Sequence, residues 1–474
     1  MNIQMGDCKT RVTFLSIAFI LLLLPQSFLY SQKSDNSSQD NLEKIRTNLI
    51  LGDHLSELNP DSAIFYYQYA LNFISENEIG TQDKTIVDSS KFYKIVLLNK
   101  IGYLFHMQSK YSLAESYYEK GLRESKILNN DSLRAESEFS LAEILLENGR
   151  YVDAINSYST SIELFNRIGF PKGVFWSNIG IGIVYRECGN KKLSRSHYES
   201  AKRIGIALKD ETLIGICNNN IGNLYKQVGE LKSAIEYLEL ALKSFEDRGE
   251  ERYISDVLEG IGDVYSEYGD FNKALDYYKR STKIAETLGD SYRLFSRYAN
   301  LAKSYMAKKK NEEALMYFSK ALKLAQSIGD KARMSEFLIL ISNFYLENND
   351  NKNAYLNLNK SLIISREIGD TVSIAYAFRT LSELFYVEGN YKSSIDYAKS
   401  ALEISQKKDL LIITQDASFY IAKSYEKLNR FKEAYNYHII FEAAKDSLLS
   451  AEKIKILEET EAKYNLEKLE LEKL

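Results

Sequence analysis

Proline is almost absent: the 474 residues contain 3, against a background of roughly 5% in ordinary chains. Because proline removes a helix donor and clashes with the preceding turn, its scarcity favours long uninterrupted helices and argues against a β-sandwich. Cysteine (3) and histidine (4) are also scarce, too few and too scattered for a disulfide scaffold or a metal cluster. His54, His106, His197 and His438 stand at least 52 residues apart and share no position that would bring them to one face. There is no excess of positive charge either. With 61 basic and 65 acidic residues the net charge is −4, which offers no cationic footprint for a nucleic-acid backbone. A glycine-rich phosphate loop, H-E-x-x-H and C-x-x-C are missing, so neither catalysis nor a cofactor or metal is expected. What is plentiful is apolar residues, 45% of the chain, enough for a large core.

At the amino terminus Lys9 and Arg11 precede an apolar run, Val12 to Leu24, that Pro25, Gln26 and Ser27 interrupt. This layout predicts a secretory signal peptide over residues 1–31, cleaved after Ser31. The run is 13 residues long, short of the roughly 20 needed to span a bilayer, and the alternative is an uncleaved anchor over residues 12–30. Either reading places the chain in the periplasm or associated with the cell envelope. Residues 32–40, rich in Ser, Gln, Asn and Asp, are expected to be a flexible linker.

The rest of the chain repeats. Ile221 begins "IGNLYKQVGELKSAIEYLELAL", and 40 residues later Ile261 begins "IGDVYSEYGDFNKALDYYKRST". A small residue recurs at Gly102, Ala142, Gly182, Gly222, Gly262, Ala302, Ser342, Ser382 and Ala422. Three residues later a bulky side chain follows each time, and twelve residues later a second small one, from Ala114 to Ala434. Nine units in register are a specific sign of a repeat architecture. One small residue on each of two helices lets their backbones approach, so each unit is expected to be a helical hairpin. The "LGD" at Leu288 and "IGD" at Ile328 and Ile368 place a glycine helix stop before an aspartate helix start. A degenerate tenth unit with Ala63, Tyr67 and Ala70 precedes these, so the array is expected over residues 41–446.

The pattern small-x-x-aromatic, Gly-x-aromatic, Ala-x-x-x-aromatic resembles the tetratricopeptide repeat. Gly262, Tyr265, Gly269, Phe271, Ala274 and Tyr278 match its signature, while Ser281 stands where a second alanine is usual. The unit is longer than the common 34-residue version and lacks its terminating proline. The resemblance spans about 85% of the chain and implies an all-α superhelical solenoid of about ten hairpins with a carboxyl-terminal helix. It also implies a binding surface for protein or peptide on a concave face lined by the first helices. The family's groove-facing positions fall on Asn99, Tyr103 and His106; on Ile179, Ile183 and Arg186; on Asn219, Asn223 and Lys226; on Ala299, Lys303 and Met306; and on Arg379, Glu383 and Tyr386. The fifth unit is the expected centre, with Asn219, Asn220 and Asn223 to bond a peptide backbone and Lys226 to pair with a carboxylate. Trp176 is read as a packing residue or an anchor pocket, and Glu259 with Asp263 as a solvated acidic strip. Cys188 and Cys217 are expected to be buried small residues; most of the tyrosines are expected in the core.

Residues 447–474, charged with interspersed Leu, Ile and Tyr, are expected to form an exposed helix. Leu457, Tyr464 and Leu471 keep a seven-residue step, but Glu461 and Lys468 occupy the partner positions. Weak self-association through an incomplete coiled coil, or capping of the last hairpin, follows from this pattern. The ending is similar to the juncture of bacterial sensors in which an exported tetratricopeptide array runs into a membrane span and then a histidine-kinase or helix-turn-helix output domain. No second apolar run stands here, so output is not expected of this polypeptide, and membrane contact only through an uncleaved leader or a missing carboxyl-terminal span. The function implied is an exported interaction module, the ligand- or partner-sensing part of a signalling system; the alternative is an assembly scaffold of the cell envelope.

Overall fold

A computed structural model describes residues 36–56, 58–77, 84–108, 110–408 and 410–448. The expected signal peptide, residues 32–35 of the linker and residues 449–474 of the carboxyl-terminal helix lie outside these. The remainder of the linker is a correction: α1 (Asn36–Leu55) already includes residues 36–40.

The described residues divide at Leu213 and Ile214 into two compact units. In the first, α1 pairs with α2 (Pro60–Asn77), α3 (Lys84–Met107) with α4 (Tyr111–Leu128), α5 (Asp131–Glu147) with α6 (Tyr151–Arg167) and α7 (Pro171–Glu187) with α8 (Lys191–Ala207). In the second, α9 (Glu211–Gln227) and α10 (Leu231–Glu246) are followed by the hairpins α11 (Glu251–Glu267) with α12 (Phe271–Thr287) and α13 (Ser291–Ala307) with α14 (Asn311–Ile328). Then come α15 (Lys331–Glu347) with α16 (Asn351–Ile368), α17 (Thr371–Val387) with α18 (Tyr391–Lys407), and α19 (Leu411–Lys427) with α20, residues 431–448. Among the described residues there is no strand. The architecture is the all-α hairpin array the 40-residue period predicts.

Sequence punctuation sets the helix ends. Gly329 and Gly369 take φ of 73° and 72°, a left-handed conformation that closes a helix at little steric cost in glycine. One residue later Asp330 and Asp370 accept from the backbone amides of Arg333 and Ser373, capping the next helix.

The two small positions of each unit do meet. Ser194 Oγ donates to the Gly182 carbonyl at 2.8 Å, and the Ser382 and Ser394 hydroxyls lie 3.2 Å apart. The first small residue has a further reason that the sequence reading did not give. A Cβ on Gly182 would stand 2.4 Å from the Tyr198 ring, and one on Gly262 2.6 Å from Tyr278. Here the small residue clears room for a ring sixteen positions on, buried in both cases; each such side chain contributes about 2 kcal/mol by leaving water. In several units the bulky residue stacks on a ring of the second helix, as in Tyr225 on Tyr237 and Tyr265 on Tyr277. Buried hydroxyl pairs add to the packing: Ser161 with Ser177 at 2.7 Å joins successive hairpins, and Ser335 with Ser361 at 2.7 Å joins the two helices of one hairpin. Cys188 and Cys217 are buried thiols, as expected.

Candidate functional site

In the second unit the expected groove residues are mostly engaged with one another. Lys226 Nζ lies 3.2 Å from Asp263 Oδ2, whose other oxygen accepts from the Tyr278 hydroxyl at 2.8 Å. Asn220 is fully buried and donates to the Ile216 carbonyl at 2.9 Å, so it packs in the interior and does not stand beside a ligand. Asn219 is also buried and accepts from Asn223 Nδ2 at 3.5 Å. The acidic strip is likewise corrected, because Glu259 is ion-paired with Arg297 Nη1 at 2.7 Å and accepts from Asn300 at 3.0 Å. Arg297 is itself buried and reaches Asp256 at 2.7 Å, while Arg293 grips the same carboxylate with two nitrogens at 2.7 and 2.9 Å. Opposite charges desolvated together in this way lock consecutive first helices, since either left alone would be strongly unfavourable. Arg379 bonds Asp416 and Glu383, and Tyr386 lies between the rings of Tyr391 and Tyr420. Lys303 is exposed.

The first unit differs. Arg186 is turned onto its neighbour Glu187 at 2.9 Å, and Trp176 is half-buried with its ring edge-on to Phe175. Around α3 and α5, however, the face of the first helices holds buried polar groups that lack partners. Glu136 and Glu143 are 7% and 8% exposed, and neither carboxylate has a hydrogen-bond or ion-pair partner among the described residues. Seven residues apart, they share one stripe of α5. Burial pushes the Glu136 carboxyl up to about 7 against a weaker pull from Lys100. Burial, helped by Glu147, raises Glu143 well above the usual carboxylate range. Burial raises the Tyr118 hydroxyl, helped in turn by Glu143, Tyr103 and Glu136 and opposed by a hydrogen bond with Ser140. Lys100 does not neutralise the pair, because its ammonium is committed to Asp53 at 2.8 Å and Asp53 also accepts from Tyr67.

Asn99 borders this cluster. Its Oδ1 accepts from Ser137 at 3.2 Å and stands 2.4 Å from where a Gly121 Cβ would be. The oxygen thus faces α4 and α5, while Nδ2 is buried without a partner. Asn99 and Tyr103 were legible as groove residues from the sequence, whereas Glu136 and Glu143 were missed. The signal was present: the register that names Tyr103 names Glu143 in the next unit.

Among the described residues no three His, Cys, Asp or Glu side chains are grouped to hold a metal ion. No helix among them is long and apolar enough to cross a membrane. The family model of the tetratricopeptide repeat matches residues 214–287 and again residues 295–328. These stretches are tetratricopeptide repeats. No curated protein matches it. Among solved structures, this repeat protein is similar to a signal transduction ATPase with a tetratricopeptide repeat sensor from Pyrococcus horikoshii, at 16% identity and a TM-score of 0.50. The match covers 75% of this chain but only 55% of that one, so the chain spans about half the archaeal protein's length. The apo form of the quorum sensor NprR from Bacillus thuringiensis matches at 14% identity and a TM-score of 0.50, covering 86% of this chain and 100% of that one. Aspartyl phosphate phosphatase F from Bacillus subtilis matches at 16% identity and a TM-score of 0.45, covering 88% and 96%. At these identities the likeness is one of fold.

Proposed function

We propose that this repeat protein is an exported polypeptide-binding module, the ligand- or partner-sensing part of a bacterial signalling system, and that its binding surface is the first-helix face around α3 and α5. The observation that carries this reading is the set of polar groups there, the buried side chains of Glu136 and Glu143 and the Nδ2 of Asn99, which is buried without a partner. Natural interiors satisfy almost all such groups, so a place where several go unsatisfied together is a place where an absent molecule belongs. Tetratricopeptide hairpins serve protein interaction, and two solved relatives of the fold are described as carrying or being sensors. Export rests on the leader pattern of residues 9–24.

Two experiments test the reading. A photo-crosslinking amino acid at Tyr103 should capture a polypeptide in cells, whereas the same group at exposed Lys303 should not; equal capture at both, or at neither, would refute the site. Alkaline phosphatase fused after residue 60 should be active outside the cytoplasm, and an inactive fusion would remove the exported role. The scaffold alternative is favoured by one observation, an apolar stripe on α20 where Phe431, Tyr435 and Ile439 are 64%, 65% and 50% exposed.

A further inference from the structure

We infer that the chain pairs with a second copy of itself through the exposed apolar stripe of α20, which Leu449, Leu457, Tyr464 and Leu471 continue in the sequence. This goes beyond polypeptide binding at α3 and α5 and does not depend on it. In α20 the usual arrangement of a second helix is exchanged. Leu238, Tyr278, Phe318, Leu358 and Ala398 hold one repeat position in the second helices from α10 to α18 and are at most 3% exposed. The α20 residue there is His438, whose side chain is 57% exposed. Glu442 and Lys445 likewise stand where α18 has the buried Leu402 and Ser405. The three polar residues close on one another, with Glu442 3.8 Å from His438 Nε2 and 3.5 Å from Lys445 Nζ. Such a face gives another hairpin no apolar layer to dock on. Conversely, the position of exposed Ile439 is polar in all of those helices, as in Glu239, Lys279 and Lys399. Phe431, Tyr435 and Ile439 stand at i, i+4 and i+8 and share one stripe, while Ala434, Tyr437 and Ile440 pack the other side of α20 onto the core. The stripe thus looks away from the array.

The sequence that follows α20 names the occupant. Leu449 and Leu457 come eighteen residues after Phe431 and Ile439, five turns at about 3.6 residues per turn. Tyr464 and Leu471 follow Leu457 at the seven-residue step that paired helices use. These four residues lie outside the described ones. Nothing in the sequence signals a turn that would bring them back onto their own α20. Among the described residues a positive φ recurs at helix ends every twenty positions from Asn129 to Asn429, and each of those residues is glycine, asparagine or lysine. The next step falls on Leu449, whose Cβ and branched side chain disfavour that conformation, and residues 441–474 hold neither glycine nor proline. The matching stretch is therefore offered to another molecule, and a second copy presents both the stripe and its complement. The exposed area requires that stretch as well. At roughly 150 to 250 Å² for a large side chain, Phe431, Tyr435 and Ile439 together expose about 300 to 400 Å², against about 800 Å² buried by each partner in a stable interface.

Light scattering behind gel filtration should give the full chain twice the mass of one copy. The double variant Tyr435→Glu, Ile439→Glu should weaken pairing by at least about tenfold, and Leu457→Glu with Leu471→Glu should do the same. Ile363→Glu, at an exposed apolar site on α16, should leave it unchanged; circular dichroism verifies that each variant is helical. In cells, a photo-crosslinking amino acid at Tyr435 should join two differently tagged copies of the chain. A single-copy mass for the wild type, pairing that survives either double variant at full strength, or crosslinks at Tyr435 solely to a different protein would overturn the inference. Capture at Tyr103 reads the polypeptide site separately, so either can fail while the other stands.

Discussion

Replacing Glu136 by glutamine should stabilise the first unit in a manner set by pH. Burial raises this carboxyl from 4.5 to about 7 in the folded chain. For an acid with a raised folded value the sign is the reverse of the usual salt-bridge case. Between pH 4.5 and about 7 the folded state holds the proton more tightly than the unfolded state, so stability falls as pH rises through that window and stays low above it. At about 1.4 kcal/mol per pH unit the full penalty is roughly 3 kcal/mol. Glutamine keeps the shape and cannot ionise, so Glu136→Gln should match the wild type at pH 4.5 and exceed it by about 2 to 3 kcal/mol at pH 8. Trp176, the only tryptophan in the chain, lies in the same unit and reports urea unfolding by fluorescence. The protein should first be refolded from urea and dialysed to strip any bound ligand, which would relieve the penalty by mass action. Because repeat arrays open piecemeal, amide exchange along α5 gives a local check. Parallel stability curves for the two proteins from pH 4.5 to 8 would refute the claim that Glu136 is buried without a counter-charge.

Other outcomes follow from particular contacts. Asp256→Ala removes the carboxylate gripped by both Arg293 and Arg297 and should destabilise the second unit by about 3 kcal/mol in urea titrations; a change under 1 kcal/mol would show the network to be dispensable. Gly262→Ala should destabilise by about 1 to 3 kcal/mol, because its Cβ would meet Tyr278 at 2.6 Å. The control Gly260→Ala, with nothing closer than 3.8 Å, should be neutral or stabilise by up to about 1 kcal/mol through helix propensity. Asp370→Ala removes the amide cap of α17 and should lower stability by about 1 kcal/mol, read as faster amide exchange at Val372 and Ser373.

The 40-residue step made the hairpins and their boundaries legible, because the residues that define them are local: glycine stops, aspartate starts, and small residues at fixed places. What escaped was pairing between units. Lys226 meets Asp263 and Arg379 meets Asp416, partners 37 positions apart that self-comparison at 40 does not align. So the asparagine and lysine group of the fifth unit looked available on the sequence, although the structure engages Lys226 and buries Asn220. The reverse held in the third unit. Glu143 had the right register, but only packing against Tyr118 and neighbouring helices reveals that it is buried and uncompensated.

The hydroxyl pairs at the helix crossings bear on how such a chain assembles. Near-identical hairpins invite misdocking, because a hairpin slipped by one turn would still bury apolar surface against its neighbour. Ser161 with Ser177 makes that slip less favourable: a shifted hairpin loses the bond between the two hydroxyls, worth about 1 kcal/mol, and keeps only the bonds each makes to a carbonyl of its own helix, Tyr158 and Gly173. Alanine at those positions would fit as well in the finished structure but would accept either alignment. The serines thus act as proofreading marks, distinguishing the native docking from its close imitations while the array is still forming.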